Sequence, residues 1–180
     1  MTPPELIALR RDCDATTVPF GERVTLSEGG LVRVAQHRGT SITVETELGL
    51  LLRIEGIDAD ALGLNPTSAP AHDDDAEFHL DQVMAALGTL YDPEIPVSIV
   101  ELGLVYRCDA IPLPDGTRRV EIDMTMTAPG CGMGDIIRED AIRTVSALPG
   151  VDEVIVNIVW QPPWTMARMS EAARLQLGLL

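Results

Sequence analysis

The chain has 180 residues, of which 46% are hydrophobic but only 3% aromatic, so it can form one or two folded units whose cores are packed mainly from aliphatic side chains. A formal charge of −15 at pH 7 argues against nucleic acid or an anionic membrane as partner, since both would be repelled, and reads as ordinary solubility. Three cysteines, at 13, 108 and 131, lack a CxxC and Cys/His pairs at zinc spacing, which excludes a disulfide scaffold; with no signal peptide and no run of transmembrane length, a soluble cytoplasmic protein is expected.

Residues 1–64 read as a small β-rich N-terminal domain. Short apolar runs between glycine turns predict strands near 22–26, 31–36, 41–45 and 50–54, with Ser27-Glu28-Gly29-Gly30 and His37-Arg38-Gly39-Thr40 as hairpin turns. His37 has no second ligand at metal spacing and reads as a solvated turn residue. Residues 65–76 combine prolines with Asp73-Asp74-Asp75, the composition of an extended linker, and Asp75 or a neighbour is placed to cap the helix that follows.

The second domain, 77–180, opens with apolar residues at Leu80, Val83, Met84, Leu87 and Leu90, the spacing of an amphipathic helix over 77–91. Asp92-Pro93-Glu94-Ile95-Pro96 is then a loop stiffened by two prolines and carrying two carboxylates. Either the stiffness holds Asp92 and Glu94 as ligands or proton acceptors, or it stops the helix. Leu102, Leu104, Tyr106 and Cys108 alternate as the buried face of a strand, with Cys108 structural, and the loop 112–117 returns the chain as a hairpin into a strand over 120–127.

That strand runs into Thr125-Met126-Thr127-Ala128-Pro129-Gly130-Cys131-Gly132-Met133-Gly134-Asp135, a strand-to-helix turn. Its three glycines leave the backbone free for positive φ and close approach to a ligand. Just ahead of a helix, Cys131 would meet partial positive charge that favours thiolate, the form that binds iron. The plainer alternative is a small buried hydrophobe capping a tight turn. The helix expected from about Asp135 carries Ile137, Ala141, Val145 and Leu148 on one face and stops at Pro149-Gly150. Residues 154–159, apolar on nearly both faces, read as a central strand parallel to the one before Cys131. The fold class is therefore α/β, an α-β-β-α-β domain with a small mixed sheet. The tail Gln161-Pro162-Pro163-Trp164, with Trp164 either covering the cysteine loop or finishing the core, the second preferred, leads to a terminal helix capped at Ser170.

A phosphatase loop needs an arginine where Ile137 stands, the glycine spacing fits neither the dinucleotide fingerprint nor a P-loop, and a Cys-His hydrolase would depend on His79 alone in this domain. What remains is one thiolate near rigid carboxylates, suited to transient binding of a soft metal centre with other ligands supplied from outside the chain.

The run from Tyr91-Asp92-Pro93-Glu94-Ile95-Pro96 to Glu101-Leu102-Gly103-Leu104-Val105-Tyr106, with Thr125-Met126-Thr127-Ala128-Pro129-Gly130-Cys131-Gly132, Leu148-Pro149-Gly150-Val151 and Pro162-Pro163-Trp164, resembles the domain shared by SufT proteins, PaaD and the cytosolic iron–sulfur targeting factors. Arg11-Asp12-Cys13 and Asp58-Ala59-Asp60-Ala61-Leu62-Gly63 resemble the SufT extension, from which Gln36-His37-Arg38-Gly39-Thr40 departs where a Gly-Gly hairpin is the pattern. The resemblance implies a non-enzymatic SUF-type maturation factor that handles or delivers Fe–S clusters to client apoproteins through Cys131. It implies Cys13 as a second cluster-binding residue, Asp92, Glu94, Thr125, Thr127, Gly130 and Gly132 as supporting residues, a transient Fe–S cluster as cofactor, assembly scaffolds and apo clients as partners, and possible homo-oligomers. A client-recruiting module that binds no metal and a thiol-dependent enzyme are the alternatives.

Overall fold

The computed structural model describes residues 6–66, 78–130 and 132–179. It divides into two compact units: the first falls within Met1–Ala69 and adds Pro93–Pro96, and the second falls within Pro70–Asp92 and Val97–Leu180. Most of the expected linker, including Asp75, lies outside the described residues.

The first unit is one antiparallel sheet of β1 (Leu6–Ala8), β2 (Cys13–Val18), β3 (Arg23–Leu26), β4 (Leu31–Arg38), β5 (Ser41–Thr46) and β6 (Leu51–Glu55), in the order β1-β4-β5-β6-β2-β3. The four expected strands are present, but β1 and β2 are additional. Cys-Asp-Ala-Thr-Thr-Val in β2 has too little hydrophobic contrast to register as a strand alone, and tertiary pairing with β3 and β6 makes it one. Arg38 pairs with Ser41 across a true β4–β5 hairpin, whereas Ser27–Gly30 joins β3 to β4, which are not neighbours, so the expected hairpin there is corrected to a crossing connection. Turn residues encode chain reversal without encoding the partner. His37 lies within β4 opposite Ile42 rather than in the turn. One sheet face carries Cys13, Ala15, Val32, Ile42, Val44, Leu52 and Ile54, packed with Ala59, Ala61 and Leu62 of the 3₁₀ helix Gly56–Leu62.

The second unit has the expected α-β-β-α-β order: α1 (Leu80–Leu87), β7 (Val105–Pro112), β8 (Arg118–Met124), α2 (Met133–Ser146) and β9 (Glu153–Ile158), followed by α3 (Glu171–Gln176). β7 is antiparallel and β9 parallel to β8. Helix α1 is shorter than expected and starts at the His79 cap, whose N–H donates to Gln82 Oε1 at 3.0 Å. It ends at Leu87, well before Pro93, so the prolines are not what stops it. Val83 and Leu87 of α1 and Ile137, Ala141 and Val145 of α2 are buried, as are Val120, Ile122 and Met124 on one face of β8. The opposite face is polar: Arg107 on β7 binds Asp109, Asp123 and Glu121, and Arg119 binds Glu153 and Glu121. These bonds hold Asp123 below the usual carboxylate range.

The segment expected as a central strand over 154–159 forms the edge strand β9, Glu153–Ile158, because β8 lies between β7 and β9. Val154, Val156 and Ile158 pair with the inward residues of β8, and Ile155 alone of the strand's apolar residues pairs on the charged face, opposite Glu121. The Val159 N–H donates to Met124 O at 2.8 Å, and strand alternation turns the Val156 carbonyl to the free edge, where Arg138 Nε donates to it at 2.9 Å. No helix among the described residues is long and apolar enough to cross a membrane.

Candidate functional site

Strand β7 begins at Val105 rather than at Leu102, because Gly103 takes a positive φ of 68° and puts Leu102 and Leu104 into a buried turn. That turn anchors the end of β8: the Thr125 N–H donates to Leu104 O at 2.9 Å. Thr125 is fully buried, and its Oγ1 has no hydrogen-bond partner among the described residues. Thr127 is half-buried, after which Ala128, Pro129 and Gly130 are all exposed. Gly130 has a φ of 79° with open space where a side chain would stand, as the sequence led one to expect; Gly132, at φ −62°, takes a backbone open to any residue and serves as the N-cap of α2. A Cβ added at Gly134 would meet the Met126 side chain at 3.5 Å, an ordinary contact distance. Helix α2 begins at Met133, earlier than expected, and its N-cap Gly132 makes no side-chain cap bond, so its leading N–H groups favour a nearby anion. Cys131 itself lies outside the described residues, but the residues before and after it, Gly130 and Gly132, are exposed.

The two carboxylates of the Pro-stiffened loop differ. Asp92 is buried at 6% exposure and its N–H donates to Val97 O at 3.2 Å, while Glu94 is exposed.

Residues 80–157 match the family described as iron–sulfur cluster assembly protein. A Porphyromonas gingivalis protein named Fe-S protein maturation auxiliary factor is 41% identical over 100 residues, 56% of this chain and 91% of that protein. This chain belongs to the iron–sulfur cluster assembly protein family. The Staphylococcus aureus maturation auxiliary factor SufT is 40% identical over 49% of this chain and 96% of its own length. The crystal structure of a domain of unknown function from Bacillus anthracis is 40% identical, covering 56% of this chain and 92% of that one with a TM-score of 0.48.

In this iron–sulfur assembly protein Cys13, the second residue expected to bind a cluster, is buried. It sits in the core of the six-stranded sheet at 1% exposure, and burial pushes its thiol up to about 11. The structure thus places this second expected cluster residue in a closed apolar environment, unlike the exposed glycines that flank Cys131. Beside it, Arg11 holds Asp60 and Asp58 at 2.5 and 2.8 Å, so the two SufT-like motifs meet in an ion-pair cluster. Cys108, half-buried on β7, is likewise raised to about 11 by burial. Among the described residues no three His, Cys, Asp or Glu side chains gather as a metal site.

The sequence reading missed a strap across the Gly103 turn. Trp164 Nε1 donates to Leu102 O at 2.8 Å, the Ser170 N–H to Glu101 O at 2.9 Å, and Tyr106 OH to Pro162 O at 2.9 Å, while Arg168 stacks over the Tyr106 ring at 3.8 Å. Trp164 carries a sequence signal, that of a loop cover or a core residue, and instead ties the tail to the Gly103 turn.

Proposed function

We propose that the protein is a non-enzymatic, cytoplasmic maturation factor that holds an iron–sulfur cluster transiently on Cys131 and delivers it to client apoproteins. The cluster is cargo, and its other ligands come from a scaffold, a client or a second copy of this chain. Transfer is ligand exchange: the Cys131 thiol releases its proton on meeting iron, and a client thiolate later takes its place with no change in electron count.

The observation that supports this reading is the junction between β8 and α2 in a chain of this family, where Gly130 and Gly132 on the two sides of Cys131 are exposed. Of the two supporting carboxylates Glu94 is the exposed one, and Asp92 is buried. Anaerobic reconstitution of wild type and Cys131→Ala, followed by visible absorbance and by activation of an apo client, tests it. The variant is expected to lose the cluster absorbance and most of the activation; equal activity in both proteins overturns the assignment of Cys131.

A further inference from the structure

The N-terminal sheet lies outside the family match at 80–157, yet the first unit contains Pro93–Pro96, the middle of the acidic loop, as well as that sheet. The two faces of the sheet are buried for different reasons. Ile42, Val44, Leu52 and Ile54 belong to the apolar core, whereas Thr43 and Arg53, paired across β5 and β6, point to the other face. Thr43 is only 2% exposed there, and its hydroxyl donates to the Pro93 carbonyl at 3.2 Å in a buried hydrogen bond.

The chemistry of the two sides matches. A segment bounded by two prolines is rich in carbonyl acceptors and poor in N–H donors, so it cannot add to a sheet as a strand. A threonine hydroxyl on a sheet face supplies the donor such a segment needs. Pro93 is buried, Ile95 and Pro96 are half-buried, and Glu94 between them is exposed. The packing therefore encloses the prolines and Ile95 more than Glu94, which stays exposed, so the contact positions the loop without covering that residue.

We infer that the N-terminal sheet is a built-in seat for the acidic loop, with Thr43 the positioning residue that fixes Pro93–Pro96 so that Glu94 is presented for cluster delivery. The seat stands on the geometry alone; its use in delivery rests on the function proposed above.

The test uses the full chain as wild type, Thr43→Val and Thr43→Ser, with amide exchange by NMR and apo-client activation as separate readouts. Losing one buried hydrogen bond in Thr43→Val is expected to speed exchange at the Glu94 and Ile95 amides about fivefold, with β4–β6 amides unchanged as proof of folding. Client activation is expected to fall with it, and Thr43→Ser, which keeps the hydroxyl, restores both. Unchanged exchange at Glu94 and Ile95 overturns the seat. Faster exchange with unchanged activation overturns its role in delivery. A Cys131→Ala protein that remains active defeats the cluster assignment alone and leaves the exchange result to judge the seat.

Discussion

Thr125 keeps a hydroxyl sealed from water with no partner among the described residues, directly where β8 gives way to the cysteine loop. An unmet buried hydroxyl costs about 1–3 kcal/mol, so its retention trades stability against use. Thr125→Val, which keeps the shape and removes the polar atom, is expected to raise stability by about 1 kcal/mol in urea titration and to lower client activation several-fold. A destabilised valine variant would mean the hydroxyl is bonded in solution. The motif around Thr125 and Cys131 was readable from the sequence because glycine spacing and a preceding strand are local signals. Burial is not local, which is why the enclosure of Cys13 could not be read from Arg11-Asp12-Cys13: its neighbours in the core come from β4, β5, β6 and the 3₁₀ helix, far along the chain.

At the scale of elements, the strap from Trp164 to Ser170 holds the Gly103 turn, and Leu104 in that turn holds the Thr125 amide. Gly103 cannot carry a side chain without strain, since its φ is positive and an added Cβ would collide with the Arg168 carbonyl. Gly103→Ala is therefore expected to cost about 2 kcal/mol or more, read as a lower denaturation midpoint, and to expose Trp164, read as a red-shifted emission. An unchanged midpoint would show that the strap yields freely. Helices α1 and α2 were legible because their apolar stripes repeat at helical spacing, and the α-β-β-α-β order followed from them. Pairing was not: β9 reads as central on its own composition, yet β8 occupies the centre. The strap and the Thr43–Pro93 bond join residues 62 and 50 positions apart, and no local pattern announces either.

For the molecule as a whole, both described thiols and the paired carboxylates set the pH range over which the fold is favoured. Burial raises Cys13 and Cys108 from an ordinary 9.0 to about 11, so above pH 9 the unfolded chain gives up thiol protons that the folded chain still holds. This stability is fully present below pH 9 and is lost as pH rises through about 11; for Cys13, the more buried by exposed area, it is on the order of 2 kcal/mol. The formal charge of −15 adds self-repulsion in the same direction as the remaining groups ionise. On the acid side the sign reverses: Asp60 and Asp123, lowered chiefly by bonds to Arg11 and Arg107, stabilise the fold above the ordinary aspartate range and stop doing so as pH falls through their folded values. Urea midpoints measured from pH 7 to 11 are expected to fall steeply beyond pH 9 in wild type and less steeply in Cys13→Ala, which begins from a lower midpoint because a core atom is gone. If the two slopes coincide, the Cys13 thiol is not what the alkaline limb reports, and self-repulsion together with Cys108 must account for it.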